Sequence, residues 1–264
     1  MKMEKIKTVI RKEWAEVFKN RLVLSTIIFL PLLFTALPLI MLSVTGEAGS
    51  SDLTSEMPSQ FTQLCPAGMS SGECFQVFMV GQMMLLFMIS PLIIPVNIAA
   101  YSIVGEKTTR SLEPLLATPI TTAELLLGKN LAAAVPAVGA TWIAFLIYVV
   151  GASILVSSPE VMSALLDPMW WLAILLVGPL LAILSVNFSI MVSSRVNDPR
   201  VAEQLSAVVI LPLLALFFAQ LFGIILINRQ IVLAIAAGLF VIDIGMVYMA
   251  IRLFQRETIL TRWK

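Results

Sequence analysis

Residues 105–129 read GEKTTRSLEPLLATPITTAELLLGK and lie between two apolar runs, about 78–103 and 130–153. At about 1.5 Å of rise per residue, either run can cross a hydrocarbon core about 30 Å thick. The quoted stretch therefore reads as a loop at a membrane surface. Outward from it, four more runs of the same kind occur, at about 22–44, 169–194, 204–227 and 231–253. None reads as a barrel strand, which needs about 10 residues of alternating pattern. The predicted fold is an all-α membrane protein of six transmembrane helices. The chain of 264 residues is 59% hydrophobic and 12% charged, with a mean hydropathy of +0.97. A soluble domain carries about 25% charged residues. Nearly the whole chain is then one membrane domain spanning 22–264, preceded by a segment at 1–21. The first run is not expected to be a secretory signal. It follows a 21-residue lead, is too long, and lacks a small-residue cleavage site.

Basic residues set the orientation. Of the 17 Lys and Arg, all but Arg229 fall in the N-terminal segment, the 105–129 loop, the 195–203 loop or the C-terminal end. The positive-inside rule places these segments, and both termini, in the cytoplasm. The net charge of +1 gives no reason to expect a nucleic-acid partner.

Start and stop signals divide 105–129. Gly105 closes the second span. Ser111 can cap a short helix with Glu113 in its first turn, where an acid suits the helix dipole. Pro114 is tolerated there because first-turn amides have no helical partner. Leu112, Leu115 and Leu116 form a small apolar face. Pro119 ends the helix, since Thr118 before it is pushed out of the α region. Thr121 and Glu124 form a T-x-x-E capping box that starts the next helix. The three leucines need a cover, either the membrane surface or a partner protein.

The N-terminal segment, MKMEKIKTVIRKEWAEVFKN, reads as an amphipathic helix. Ile6, Val9, Ile10, Trp14, Val17 and Phe18 share one face, with Lys5, Lys12, Glu16 and Lys19 opposite. Such a helix suits the membrane interface. Glu13 interrupts the apolar arc and calls for a basic residue of the cytoplasmic loops. On the other side, the 45–77 loop holds four acids, no base, and the only cysteines, Cys65 and Cys74. A disulfide between them fits an oxidising compartment.

Polar residues within the runs are few. Asp243 is the one charged residue well inside a span. Charge at that depth is costly and faces protein or water. It reads either as a transport-path or proton-relay site or as the partner of a polar group on another helix. Gln82, Ser90 and Asn97 fall within an arc of roughly 80° on a straight second span. Asn187 and Gln220 are similar candidates; single amides in membranes often serve interhelical hydrogen bonds. Pro31, Pro38, Pro91, Pro95, Pro136, Pro179 and Pro212 lie at membrane depth, where each can bend its helix.

Histidine is absent, and no HExxH, GxSxG or cysteine cluster occurs. These absences lead us to expect no catalytic residues, no bound metal and no enzyme activity. No P-loop is present either, so an ATP-driven machine would need its ATPase on another chain. The quoted stretch strongly resembles the signature of ABC-2 type transporter permeases. The matching positions are Gly105, Glu106, Lys107, Ser111, Leu112, Glu113, Leu115, Leu116, Thr118, Pro119, Thr121, Glu124, Gly128 and Lys129, with Arg110 in the same segment. The opening KEWAEVFKNRLVLSTIIFLPLL is similar too. The sodium-export (NatB-like) branch is nearest, by its enlarged 45–77 loop.

The resemblance implies the permease subunit of an ATP-driven exporter in a prokaryotic cytoplasmic membrane. It implies two copies of a cognate ATPase that carry the ATP and Mg, and a second permease, as a homodimer or a heterodimer. It implies a connecting helix at 1–21 and a coupling helix between spans two and three, docked on the ATPase. The alternatives are an ion-coupled carrier or channel using Asp243, and an assembly protein that kept the fold without transport.

Overall fold

The computed structural model describes residues 3–47, 70–108, 120–156 and 158–253. Eleven α-helices are described, and six stretches are long and apolar enough to cross a membrane: Val23–Val44, Gly72–Glu106, Thr122–Leu155, Pro159–Arg195, Pro199–Leu221 and Arg229–Leu253. The amphipathic α1, Met3–Val17, leads into α2, Arg21–Glu47. The second crossing is two helices, α3 (Ser71–Phe87) and α4 (Ser90–Thr108). The third is one long helix, α5 (Thr122–Leu155). The fourth is built from α6 (Pro159–Leu165), α7 (Pro168–Leu172), a π-helical turn and α8 (Gly178–Arg195). The fifth comprises α9 (Pro199–Ser206), a 3₁₀ turn and α10 (Leu211–Leu221); α11 (Arg229–Leu253) is the sixth.

The prolines explain the breaks. The π turn, Ala173–Val177, ends two residues before Pro179. Proline lacks an amide and its ring crowds the carbonyl four residues back, which a widened turn relieves. The 3₁₀ turn Ala207–Ile210 stands before Pro212 in the same way. Pro31, Pro38, Pro95 and Pro136 lie inside helices. At Pro31 the carbonyl accepts from Thr35 Oγ1 at 2.8 Å, and the same hydroxyl lies 3.2 Å from the Ala144 carbonyl of α5. Gly223, at φ 69°, ends α10 in the left-handed region. There Ile224 N–H donates to Ala219 O and Gly223 N–H to Gln220 O, which is a Schellman closure.

Two sequence expectations change here. The second span does not close at Gly105, because α4 runs on to Thr108. Nor is that span straight: a turn at Met88–Ile89, just ahead of Pro91, separates α3 from α4. Gln82 therefore lies on a different helix from Ser90 and Asn97, and the arc they share on an uninterrupted helix does not exist.

Two buried layers hold the helices together. One, around Phe87, Phe145, Tyr148, Trp170 and Ile174, joins α3, α5, α7, α8 and α11. Phe145 lies 5.0 Å from Trp171 edge to face and 5.9 Å from Tyr148, centroid to centroid. The other, around Val17, Ile27, Ile98, Leu126, Val186 and Ala250, ties α1, α2, α4, α5, α8 and α11 at the opposite end. Ser185, Ser189 and Ser193 recur every fourth residue on α8 and are fully buried, and Ser185 Oγ donates to the Leu92 carbonyl of α4. Small residues at that spacing let α8 and α4 approach closely. The outer surface carries exposed Phe29, Ile143, Ile154, Val241 and Ile244. Apolar exposure of that extent requires lipid or another apolar surface.

Candidate functional site

The end of the bundle where α1 sits holds the densest polar cluster in the described residues. Three helices build it. Thr121 and Glu124 form a reciprocal capping box, with Glu124 N–H to Thr121 Oγ1 at 3.2 Å and Thr121 N–H to Glu124 Oε2 at 3.1 Å. That cap fixes the start of α5 and hence the position of Gly128 and Lys129, one turn on. α1 lies directly against this turn: a Cβ on Gly128 would stand 2.8 Å from both Cβ and Cγ1 of Val9. Glycine is required there because those Val9 atoms sit at the root of its side chain and cannot swing away. Val9, Ile120 and Leu125 close the apolar contact, and Trp14 Nε1 donates to the Ala132 carbonyl at 3.0 Å.

The charges then interlock. Lys129 Nζ donates to Glu13 Oε1 at 2.8 Å and to Ser102 Oγ at 2.6 Å. It also lies 3.0 Å from Glu106 Oε2, off the direction needed for a hydrogen bond, so this contact is an ion pair alone. Lys12 Nζ donates to Glu106 Oε1 at 2.6 Å and lies 3.8 Å from Glu16. Lys5 Nζ stands 4.0 Å from Glu124 Oε2. Glu13, Glu106 and Lys129 are each at most 4% exposed. Two acids and two amines thus balance in a largely dry site joining α1, α4 and α5. Charges so placed are tolerated only when paired. Burial opposes ionisation of Glu13, but Lys129, Ser102 and Lys12 outweigh it and hold the carboxyl below its ordinary value. Burial likewise opposes the charge on Lys12, and Glu106 foremost overcomes it, so the ammonium titrates above its ordinary value.

This geometry refines the expected role of α1. Of its apolar arc, Ile6, Val9 and Val17 are buried against the fold, Ile10 and Trp14 are partly buried, and Phe18 is half exposed. The physical reason is Glu13, whose counter-charge on Lys129 comes from within the fold. Lys12, expected on the opposite polar face, instead reaches Glu106.

Of the residues singled out from the sequence, the cluster contains Glu13, Glu106, Thr121, Glu124, Gly128 and Lys129. Lys107 lies in α4, but its side chain falls outside the described residues. So do Arg110, Ser111, Leu112, Glu113, Leu115, Leu116, Thr118 and Pro119 in full. The intramembrane polar candidates do not converge. Asn187 Oδ1 accepts from Asn130 Nδ2 at 3.1 Å, an interhelical bond between α8 and α5. Asp243 is buried on α11, and neither carboxylate oxygen has a hydrogen-bond partner. Both polar atoms of Gln82 and Oε1 of Gln220 are likewise buried without one. Of these five, only Asn97 lines the cleft described below. Cys74 is buried beside Phe75 and Phe78, and Cys65 is outside the described residues. Lys12, Ser102 and Trp14 were not picked out as site residues from the sequence. The available signal was the Lys12-Glu13 pair, which matches in charge the Glu106 and Lys129 bracketing the loop. Among the described residues no group of three or more His, Cys, Asp or Glu could hold a metal ion.

The family model for ABC-2 family transporter proteins matches residues 7–255. The chain belongs to the ABC-2 transporter family. It is the membrane permease of an ABC transporter, an integral membrane protein of a family that works with an ABC ATPase. No curated protein matches the chain. In this ABC-2 permease the charge cluster brackets residues 109–119 in the chain: Glu106 precedes them, and Glu124 and Lys129 follow.

Proposed function

We propose that this permease is the export pathway of an ATP-driven transporter, coupled through 105–129 and α1 to two copies of a separate ATPase that binds ATP and Mg. The observation that carries the proposal is the buried charge cluster. It ties α1 to both ends of the 109–119 segment, so a force on that segment moves α1, α4 and α5 together. Interlocked buried charges have few alternative arrangements, which suits transmission. The leucine face of 112, 115 and 116 supplies the apolar contact to the ATPase. The excess of basic residues supports a cytoplasmic position for this end, and the family resemblance supports a prokaryotic membrane. The fifth crossing, only 11% buried over its apolar window, leaves room for a second permease, here a second copy of the chain. The expected 45–77 loop is shortened at both ends, since α2 runs to Glu47 and α3 starts at Ser71; the long connection that remains supports the sodium-export branch, and a Cys65–Cys74 disulfide would tie it to α3. The test is co-purification with the cognate ATPase. Leu115→Asp with Leu116→Asp should cut recovery of the complex at least about tenfold while leaving the permease folded; unchanged recovery would refute the docking role.

A further inference from the structure

A cleft of about 570 Å³ opens beside the charge cluster, between the start of α2, the second half of α4 and the start of α9. Its size is that of a small-molecule site. Its lining pairs an apolar wall, Val23, Ala100 and Pro199, with Asn20, Asn97, Tyr101, Asp198, Arg200 and Glu203. We propose that this cleft binds amphipathic organic cations, with Asp198 and Glu203 supplying the charge and Tyr101 the ring face. The inference rests on the reading of the chain as a transport permease, and it adds an organic-cation site independent of the branch to which the permease belongs.

Three observations support the proposal. First, the acids outnumber the base by two to one, and none of the three is held in an ion pair among the described residues. Asp198 uses Oδ1 to cap α9, accepting from Arg200 N–H at 2.7 Å and Val201 N–H at 3.4 Å, which leaves Oδ2 for a ligand. Second, Tyr101 is half exposed at the wall, where a cation can approach its ring. The amide oxygens of Asn20 and Asn97 are further dipoles that favour positive charge. Third, the cleft wall is continuous with the charge cluster. Tyr101 and Asn20 also border the small space beside Glu13 and Ser102, and Ser102 follows Tyr101 in the chain. A molecule seated on Tyr101 therefore presses on the turn of α4 that bonds Lys129.

The test uses the purified full chain in phosphatidylcholine nanodiscs without ATPase, titrated with tetraphenylphosphonium and, as a match in shape with opposite charge, tetraphenylborate. The cation is expected to bind saturably and the anion not. Asp198→Asn keeps an N-cap while removing the charge, so the fold is not at issue. Asp198→Asn and Glu203→Gln should each weaken tetraphenylphosphonium binding about fivefold or more, and Arg200→Gln should tighten it about fivefold. The opposite sign for Arg200 is an effect that a merely structural role cannot produce. Absence of saturable cation binding overturns the proposal. So does equal or stronger binding of tetraphenylborate, and so does cation binding that all three substitutions leave unchanged. These results are independent of ATPase association: a permease that recruits its ATPase but fails here loses only the cation site.

Discussion

Lys129→Met is the most informative single change, because it removes one charge from a balanced buried set. Among the described residues Lys129 is the only amine hydrogen-bonded to Glu13, and it is also 3.0 Å from Glu106. Without it, Glu106 keeps Lys12 at 2.6 Å, but Glu13 is left 3% exposed with no hydrogen-bonded counter-charge. Breaking a buried pair from one side costs about 3–5 kcal/mol. The cheapest escape is for α1 to leave its seat on α5 and carry Glu13 into water. An isolated helix of 15 residues is marginal, so an undocked α1 loses its amide protection. At about 3 kcal/mol, exchange of the 3–17 amides should accelerate by roughly a hundredfold in nanodiscs, measured by mass spectrometry. Glu13→Leu combined with Lys129→Met removes the orphaned charge and should recover most of the protection, since apolar replacements of buried pairs are often neutral. Exchange in Lys129→Met within about twofold of the parent would refute the reasoning, as would a double variant that exchanges faster than the single one.

Gly128→Val should undock α1 as well, by overpacking against Val9 at a cost of about 1–3 kcal/mol; Val9→Ala in the same chain should partly restore exchange protection. Docking should also depend on pH at both extremes. Glu13 titrates below its ordinary 4.5, so its contribution is present above that value and is lost as pH falls through the lower folded value. Lys12 titrates above its ordinary 10.5, so its contribution is present below that value and is lost as pH rises through the higher folded one. Trp14 emission, read with the other tryptophans replaced by Phe, should therefore hold constant across the neutral range and shift to the red only below about pH 4.5 and above about pH 10.5; a transition near pH 7 would contradict this assignment. In unreduced, denatured protein neither Cys65 nor Cys74 should react with maleimide; labelling of both would exclude the disulfide.

Much of the fold was legible because a bilayer admits few solutions. Uniform apolar runs of spanning length must be helices, and all six appear, although the third and fourth begin at Thr122 and Pro159, well before the expected 130 and 169, and the fifth ends at Leu221, before the expected 227. The Thr121–Glu124 box was equally legible, since a cap is a local matter of three residues. The ion cluster was legible only in part. The need of Glu13 for a base could be read from its place in an apolar arc. Which base answered could not, because Lys129 lies 116 residues away and only packing brings them together. Asp243 shows the same limit: its depth could be read, but only the structure shows it buried on α11, away from the cleft that Asn97 lines.

By itself the sequence determined the number of crossings, the sidedness of charge and the segment that carries the family signature, because hydrophobicity, net charge and capping act over a few residues. The tertiary structure decided what those features touch. It seated Ile6, Val9 and Val17 of α1 against the fold and supplied Lys129 as the counter-ion of Glu13. It broke the second crossing at Met88–Ile89 and so separated Gln82 from Asn97. It also opened a cleft between helices from three crossings, whose mixed charges stand 95 or more residues apart from the α4 positions they face in sequence.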